Sequence, residues 1–167
     1  ESIKKIRKIY KNIKIIVCLN EKNFNFKKDK NLRFIFTKYK GIGKKRNIAV
    51  DKCKTKYIAF IDSDAYPKKG WIESAFKLIN NKAIGIIGGP HIDPPYQNEE
   101  EKLIGKVKLS YIITMNASVQ KKTFLKGRFV NFLPSCNWIL SRNLFNKLKK
   151  MDGKMLRNED WDFVYNR

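Results

Sequence analysis

The run KYIAFI, residues 56–61, constrains the fold of this chain more than any other stretch. It is β-branched, aromatic or otherwise apolar on both alternating faces, and it ends directly against Asp62 and Asp64. A strand with no polar face needs cover on both sides, as in a sheet lying between helix layers. Three further apolar runs have strand length, namely IKIIVCL (13–19), LRFIF (32–36) and AIGIIGGP (83–90).

Helical spacing fills the gaps between these runs. ESIKKIRKIYKN (1–12) sets Ile3, Ile6, Ile9 and Tyr10 on one face of a basic amphipathic helix. GIGKKRNIAVDKC (41–53) turns from a glycine start into a second helix. GWIESAFKLIN (70–80) repeats Trp71, Ala75, Leu78 and Ile72, Phe76, Ile79, which predicts a helix packed over much of its surface with Trp71 and Phe76 in the core. Strands alternating with helices specify an α/β domain with a mostly parallel sheet and helices on both faces. After Pro90 the pattern changes. HIDPPYQ is a proline-broken loop, and NEEEKLIGKVKLSYIITM (98–115) is a helix whose first turn carries Glu99, Glu100 and Glu101, where carboxylates complement the helix dipole. CNWILS (136–141) is a later strand with Cys136 as core filler, and RNLFNKLKK (142–150) is the helix behind it.

Composition narrows the chemistry. The chain has 37 Lys and Arg against 15 Asp and Glu, a formal charge of +22. Nucleic acid, an anionic membrane surface or a phosphate-rich ligand all suit such an excess. The lysines are nevertheless spread along the whole chain, as expected of a solvated surface. His91, the single histidine, rules out a His-based metal cluster and reads as a surface residue. Cys18, Cys53 and Cys136 form no C-x-x-C pair, which points to reduced thiols in the cytosol. No apolar run approaches the ~20 residues of a membrane span, and no signal peptide is visible. A start at Glu1 without Met, and an end at Arg167 just past an acidic cluster, suggest a fragment.

In a chain so short of acids, two acidic clusters stand out. Ligands of open α/β sheets sit beyond the carboxyl ends of the strands, where Asp62 and Asp64 lie. Two carboxylates so close repel unless a cation intervenes, and Mg²⁺ or Mn²⁺ takes one or two carboxylates with phosphates and waters. An Asp-Ser-Asp turn leading to the helix near Gly70 is the structural alternative. About a hundred residues on, NEDWDF places Glu159, Asp160 and Asp162 around Trp161. One acidic pair for a metal and another for a proton would equip a site to displace a phosphate leaving group with a hydroxyl. An acid-rich helix N-terminus accounts for the second cluster equally well.

The ordered set GIGKKRNIAV, KYIAFIDSDAYPKKGWIE, IIGGPHIDPP, EKLIGKVKLSYI, LPSCNWILSRNLFNKL and NEDWDF resembles the inverting family 2 glycosyltransferases over residues 13–167. That resemblance implies a GT-A fold, a Rossmann-like mostly parallel sheet with its first strand missing here. It implies one partial domain over 1–167, with a nucleotide-sugar half at 1–90 and an acceptor half at 91–167. It also implies a Mn²⁺ or Mg²⁺ cofactor, a nucleotide-diphosphate-sugar donor and a hydroxyl acceptor on a polysaccharide, lipid-linked sugar or glycan, as in cell-envelope polysaccharide synthesis. By motif, Asp64 would ligate the metal, and Asp62 would meet the donor ribose or the metal through water. Arg46 and Asn47 would lie by the nucleotide-sugar, Gly88, Gly89 and Pro90 would shape the sugar pocket, and Asp160 would be the general base. Glu159, Trp161 and Trp138 would belong to the acceptor side. The chain departs from the family where Asn20-Glu21 replaces an Asp-rich turn after IKIIVCL.

Two other functions compete with sugar transfer. A nucleic-acid-binding domain would gather basic residues and exposed aromatics on one face. A nucleotidyltransferase would need a glycine-rich, lysine-bearing loop after the first strand, which this chain lacks. Nucleic acid is the less favoured partner. The expected location is the cytoplasm. The helix at 1–12 is read as a packing helix, with its lysines able to rest on the anionic cytoplasmic face of a membrane as the alternative.

Overall fold

The computed structural model describes residues 1–21, 29–81, 83–90, 92, 98–108, 129–130 and 132–166. His91 and residues 109–115 of the expected 98–115 helix lie outside the described residues.

The chain opens with helix α1 (Ser2–Ile9), which buries Ile6 and ends where the Tyr10 N–H caps the Ile6 carbonyl. Arg7 stitches it to the next segment, with Nε on Asp29 at 2.7 Å and Nη1 on the Ile13 carbonyl at 2.7 Å. Strand β1 (Ile15–Leu19) then pairs in parallel with β2 (Leu32–Phe36), Ile15 opposite Leu32 and Leu19 opposite Phe36. Helix α2 (Ile42–Asp51) starts from Gly41 and buries Gly43, Arg46 and Val50.

Strand β3 (Tyr57–Ile61) sends Ile58 and Phe60 into the core, while Ala59 is exposed. Helix α3 (Trp71–Phe76) starts after Gly70, whose φ of +86° suits glycine, and buries only Ala75. It is shorter and less enclosed than its periodicity predicts. Phe76 is exposed rather than in the core; its ring meets Tyr57 edge-on at 5.1 Å near the surface. Strand β4 is brief (Ile86–Ile87), and helix α4 (Glu99–Lys108) has Glu99, Glu100 and Glu101 in its first turn.

Strand β5 (Asn137–Ser141) lies between β3 and β4 and runs antiparallel to both. Ile61 faces Asn137, and Ile87 faces Ile139. The described strands therefore form a parallel pair and a separate antiparallel trio, not one mostly parallel sheet. The cause is β5, a late strand that returns in the opposite direction and holds β3 and β4 apart. The α/β class is unchanged. Helix α5 (Arg142–Lys147) begins with the Ser141 hydroxyl accepting the Leu144 N–H at 3.0 Å. It stops before the predicted end because Lys149 and Lys150 both take positive φ. Helix α6 (Glu159–Tyr165) closes the described chain.

The core joins the middle of the chain to its end. Val50, Ile58, Phe60, Trp138, Leu140, Phe145, Met151 and Phe163 form one buried cluster. Phe145 stacks on Phe163 at 5.0 Å, and Trp138 packs on Phe163 at 5.6 Å. Burying such rings contributes a few kcal/mol each, so α6 is held against β5 by apolar packing. No helix among the described residues is long and apolar enough to cross a membrane.

Candidate active site

The antiparallel placement of β5 decides what meets what. Its first residue lies beside the last residue of β3, so Ser135 and Cys136 arrive next to Asp62 at the carboxyl end of that strand. Helices α2 and α6 both border this place. The approach of α2 to α6 is close at Gly43, where a Cβ would sit 3.1 Å from Glu159 Cγ and 3.2 Å from the Asp152 carbonyl.

Arg46 stands at the centre, nine-tenths buried. Its Nη2 donates to Asp62 Oδ1 at 2.9 Å. Its Nη1 donates to Glu159 Oε1 at 3.1 Å and to the Ser135 hydroxyl. Ser135 in turn donates to Asp160 Oδ2 twice, from its N–H at 3.1 Å and its hydroxyl at 3.0 Å. One guanidinium and one serine thus draw Asp62, Glu159 and Asp160 into a single constellation. Phe60 lies beneath the guanidinium at 5.4 Å. Three carboxylates around one guanidinium leave the site net negative on a chain of charge +22.

The resemblance puts Arg46 by the donor, and the structure shows what its guanidinium meets. The guanidinium is spent on Asp62, Glu159 and Ser135, because a buried cation must be surrounded by acceptors. Asn47 clamps the segment that follows α5. Its amide donates to the Met151 carbonyl at 2.8 Å and accepts the Met151 N–H at 3.1 Å. Trp138, by contrast with a surface ring, is 0% exposed, and its indole N–H is held by the Leu133 carbonyl at 2.8 Å.

The other site residues lie at the surface or the rim. Asp64 is exposed beyond β3, and Asp62 is half-exposed on its outer side. Trp161 is about half exposed and packs between Phe132 at 5.0 Å and Tyr165 at 4.5 Å. Gly89 offers its carbonyl to Asn137 Nδ2 at 3.1 Å, while Asn137 Oδ1 accepts the Trp71 indole N–H at 2.8 Å. This amide ties the Gly-Gly-Pro turn to the start of α3. Ser63, between the two aspartates, is reached by α1: the Ser2 hydroxyl donates to the Ser63 carbonyl at 2.6 Å.

Ser135 and Asn137 escape a reading of the sequence. Both stand in the LPSCNW stretch, but nothing in a linear order marks a serine as the link between distant acids. Cys136 lies at the mouth of β5, half-buried, rather than deep in the core. Burial, then the nearby Asp62 carboxylate, pushes its thiol up to about 11, so it is protonated and a poor nucleophile.

Among the described residues no group of three or more His, Cys, Asp or Glu side chains is gathered as a metal-holding set.

Similarity to known proteins bears on the same segment. The model of the family described as glycosyl transferase family 2 matches residues 1–149. That span holds Arg46, Asp62, Asp64, Gly89 and Ser135, while Glu159 and Asp160 lie beyond it. Two relatives, the pre-mycofactocin glycosyltransferases of Mycobacterium tuberculosis strains CDC 1551 / Oshkosh and ATCC 25618 / H37Rv, are each 22% identical over 126 residues. The match covers 75% of this chain and 26% of each relative, so the chain spans about a quarter of their length. No solved structure matches the chain.

Proposed function

This chain belongs to glycosyl transferase family 2, and we propose that its Arg46-centred site moves a sugar from a nucleotide-diphosphate-sugar to an acceptor hydroxyl with inversion. The observation that carries this reading is the bridge from Asp62 through Arg46 and Ser135 to Asp160. It joins a donor-side carboxylate at a strand end to a carboxylate able to take a proton, which is what a single displacement at an anomeric carbon requires.

The residues divide the work. Asp160 receives the proton of the acceptor hydroxyl while the hydroxyl oxygen bonds to the anomeric carbon. The bond to the diphosphate breaks on the opposite face, and its electron pair leaves with the nucleoside diphosphate. Arg46 keeps Asp62 and Glu159 at fixed separation around that reaction. Trp161, exposed next to Asp160 in the chain, offers a ring face to the acceptor, and the Gly88-Gly89 turn bounds the sugar.

A net negative site repels a diphosphate, so the donor needs a compensating charge. A divalent cation held by Asp64 and Asp62 would supply it by neutralising the departing phosphates. The two carboxylates suit such an ion because diphosphate oxygens and waters complete its shell.

The nucleic-acid reading draws less support. Among the exposed rings, Trp161 and Tyr165 lie on helix α6 beside Glu159, Asp160 and Asp162, and acids there oppose a phosphate backbone.

The test uses the full-length protein with UDP-, GDP- and CDP-linked hexoses, each with and without Mn²⁺. Thermal stabilisation by one nucleotide-sugar, dependent on Mn²⁺, together with release of its nucleoside diphosphate in the presence of an acceptor, is expected. Stabilisation by random duplex DNA and by no nucleotide-sugar would refute the proposal.

A further inference from the structure

Resting on the reading of Asp160 as the base, we infer that Ser135 is a positioning residue that selects which oxygen of Asp160 takes the acceptor's proton. The hydrogen-bond inventory permits one arrangement. A guanidinium has donors only, so the Ser135 oxygen must accept from Arg46 Nη1. The hydroxyl's single proton is then free to point only at Asp160 Oδ2, 3.0 Å away, where the Ser135 N–H also points from 3.1 Å. Ser135 is 3% exposed, so water does not compete for these bonds.

An oxygen facing two donors cannot take a proton without turning one of them away. Oδ1 is different. Among the described residues it accepts from the N–H of Trp161, the next residue, at 2.9 Å, which leaves a lone pair for the acceptor hydroxyl. Ser135 therefore blocks Oδ2, presents Oδ1 on the side of Trp161, and anchors this orientation to the buried Arg46. Truncation to alanine leaves Asp160 Oδ2 with the backbone N–H alone and frees the carboxyl to rotate.

The experiment uses the full-length protein, the nucleotide-sugar that stabilises it, and the variants Ser135→Ala, Asp160→Asn and their double mutant. Ser135→Ala should lower kcat about 10- to 100-fold, part of the roughly 100- to 10,000-fold that a positioned base contributes, with donor KM within about twofold. The double mutant should be no slower than Asp160→Asn alone, since the serine's effect on the proton transfer runs through that carboxylate. Wild-type kcat in Ser135→Ala, or losses that multiply in the double mutant, overturns the inference. Wild-type kcat in Asp160→Asn refutes the base assignment itself, a separate failure. Where Ser135→Ala does not fold, Ser135→Cys keeps the shape with a weak donor and should show at least a tenfold loss of kcat; full kcat there overturns the inference equally.

Discussion

Glu159 Oε1 accepts a hydrogen bond from Arg46 Nη1 at 3.1 Å, a buried ion pair between residues 113 positions apart. It closes the last described helix onto the second one. Removing one member of a buried pair strands the other, at a cost of about 3 kcal/mol. Glu159→Ala should lower unfolding free energy by that amount in urea titration, and Glu159→Gln, which keeps an acceptor, by clearly less. Equal stability of Glu159→Ala and wild type would mean that the pair holds nothing together.

Asp64 is exposed and its loss should cost little stability. Under the proposed function, Asp64→Ala should abolish the Mn²⁺-dependent stabilisation by the donor and reduce transfer at least ~100-fold. The melting temperature without ligand should stay within about 2 °C, since a surface substitution changes stability by roughly 0.5 kcal/mol. Undiminished transfer would remove Asp64 from the metal role.

The two tryptophans that the family resemblance puts on the acceptor side should separate cleanly. Trp138→Ala opens a cavity between Phe60 and Phe163 and should destabilise by about 3–5 kcal/mol. Trp161→Ala should change stability by less than about 1 kcal/mol. Its signature is a raised KM for the acceptor with donor KM unchanged, measured by steady-state transfer.

Gly88 has no room for a side chain. A Cβ there would lie 2.9 Å from the Asn137 carbonyl, a backbone atom of the central strand. Gly88→Ala should therefore displace the turn from β5 and destabilise by about 1–3 kcal/mol. Because the same turn bounds the proposed sugar pocket, donor KM should rise as well; an unchanged melting temperature would contradict the packing.

Cys136 gives a pH dependence with a definite sign. Burial, reinforced by the Asp62 carboxylate, raises its folded value from 9.0 to about 11. The folded state then holds a proton that the unfolded state releases between those values. The stability from the neutral thiol is whole below about pH 9 and is lost as pH climbs through about 11. Wild type should lose more stability between about pH 8.5 and about pH 10.5 than Cys136→Ala, compared by urea unfolding; parallel losses would contradict the shift.

Much of the fold was readable in one dimension because it rests on local periodicity. The runs at 13–19, 32–36, 56–61 and 136–141 each contain an observed strand, and Ile6 enters the core as the spacing of α1 requires. What failed depended on long-range partners. The amphipathic pattern of 70–80 could not show that Phe76 would stay at the surface. The apolar run at 136–141 carried no mark of its direction, so the antiparallel trio was invisible.

The acids divide in the same way. Sequence alone marked Asp62, Asp64, Glu159 and Asp160, since carboxylates at a strand end and at a helix start are local features in a chain that has few of them. Tertiary structure alone joined Arg46 to Asp62 and Glu159, gave Ser135 its place between Arg46 and Asp160, and buried Trp138. The physical reason is that a side chain's chemistry belongs to its residue type. Its partners, its solvent and the atoms it can reach are set by elements that meet only when β5 enters between β3 and β4.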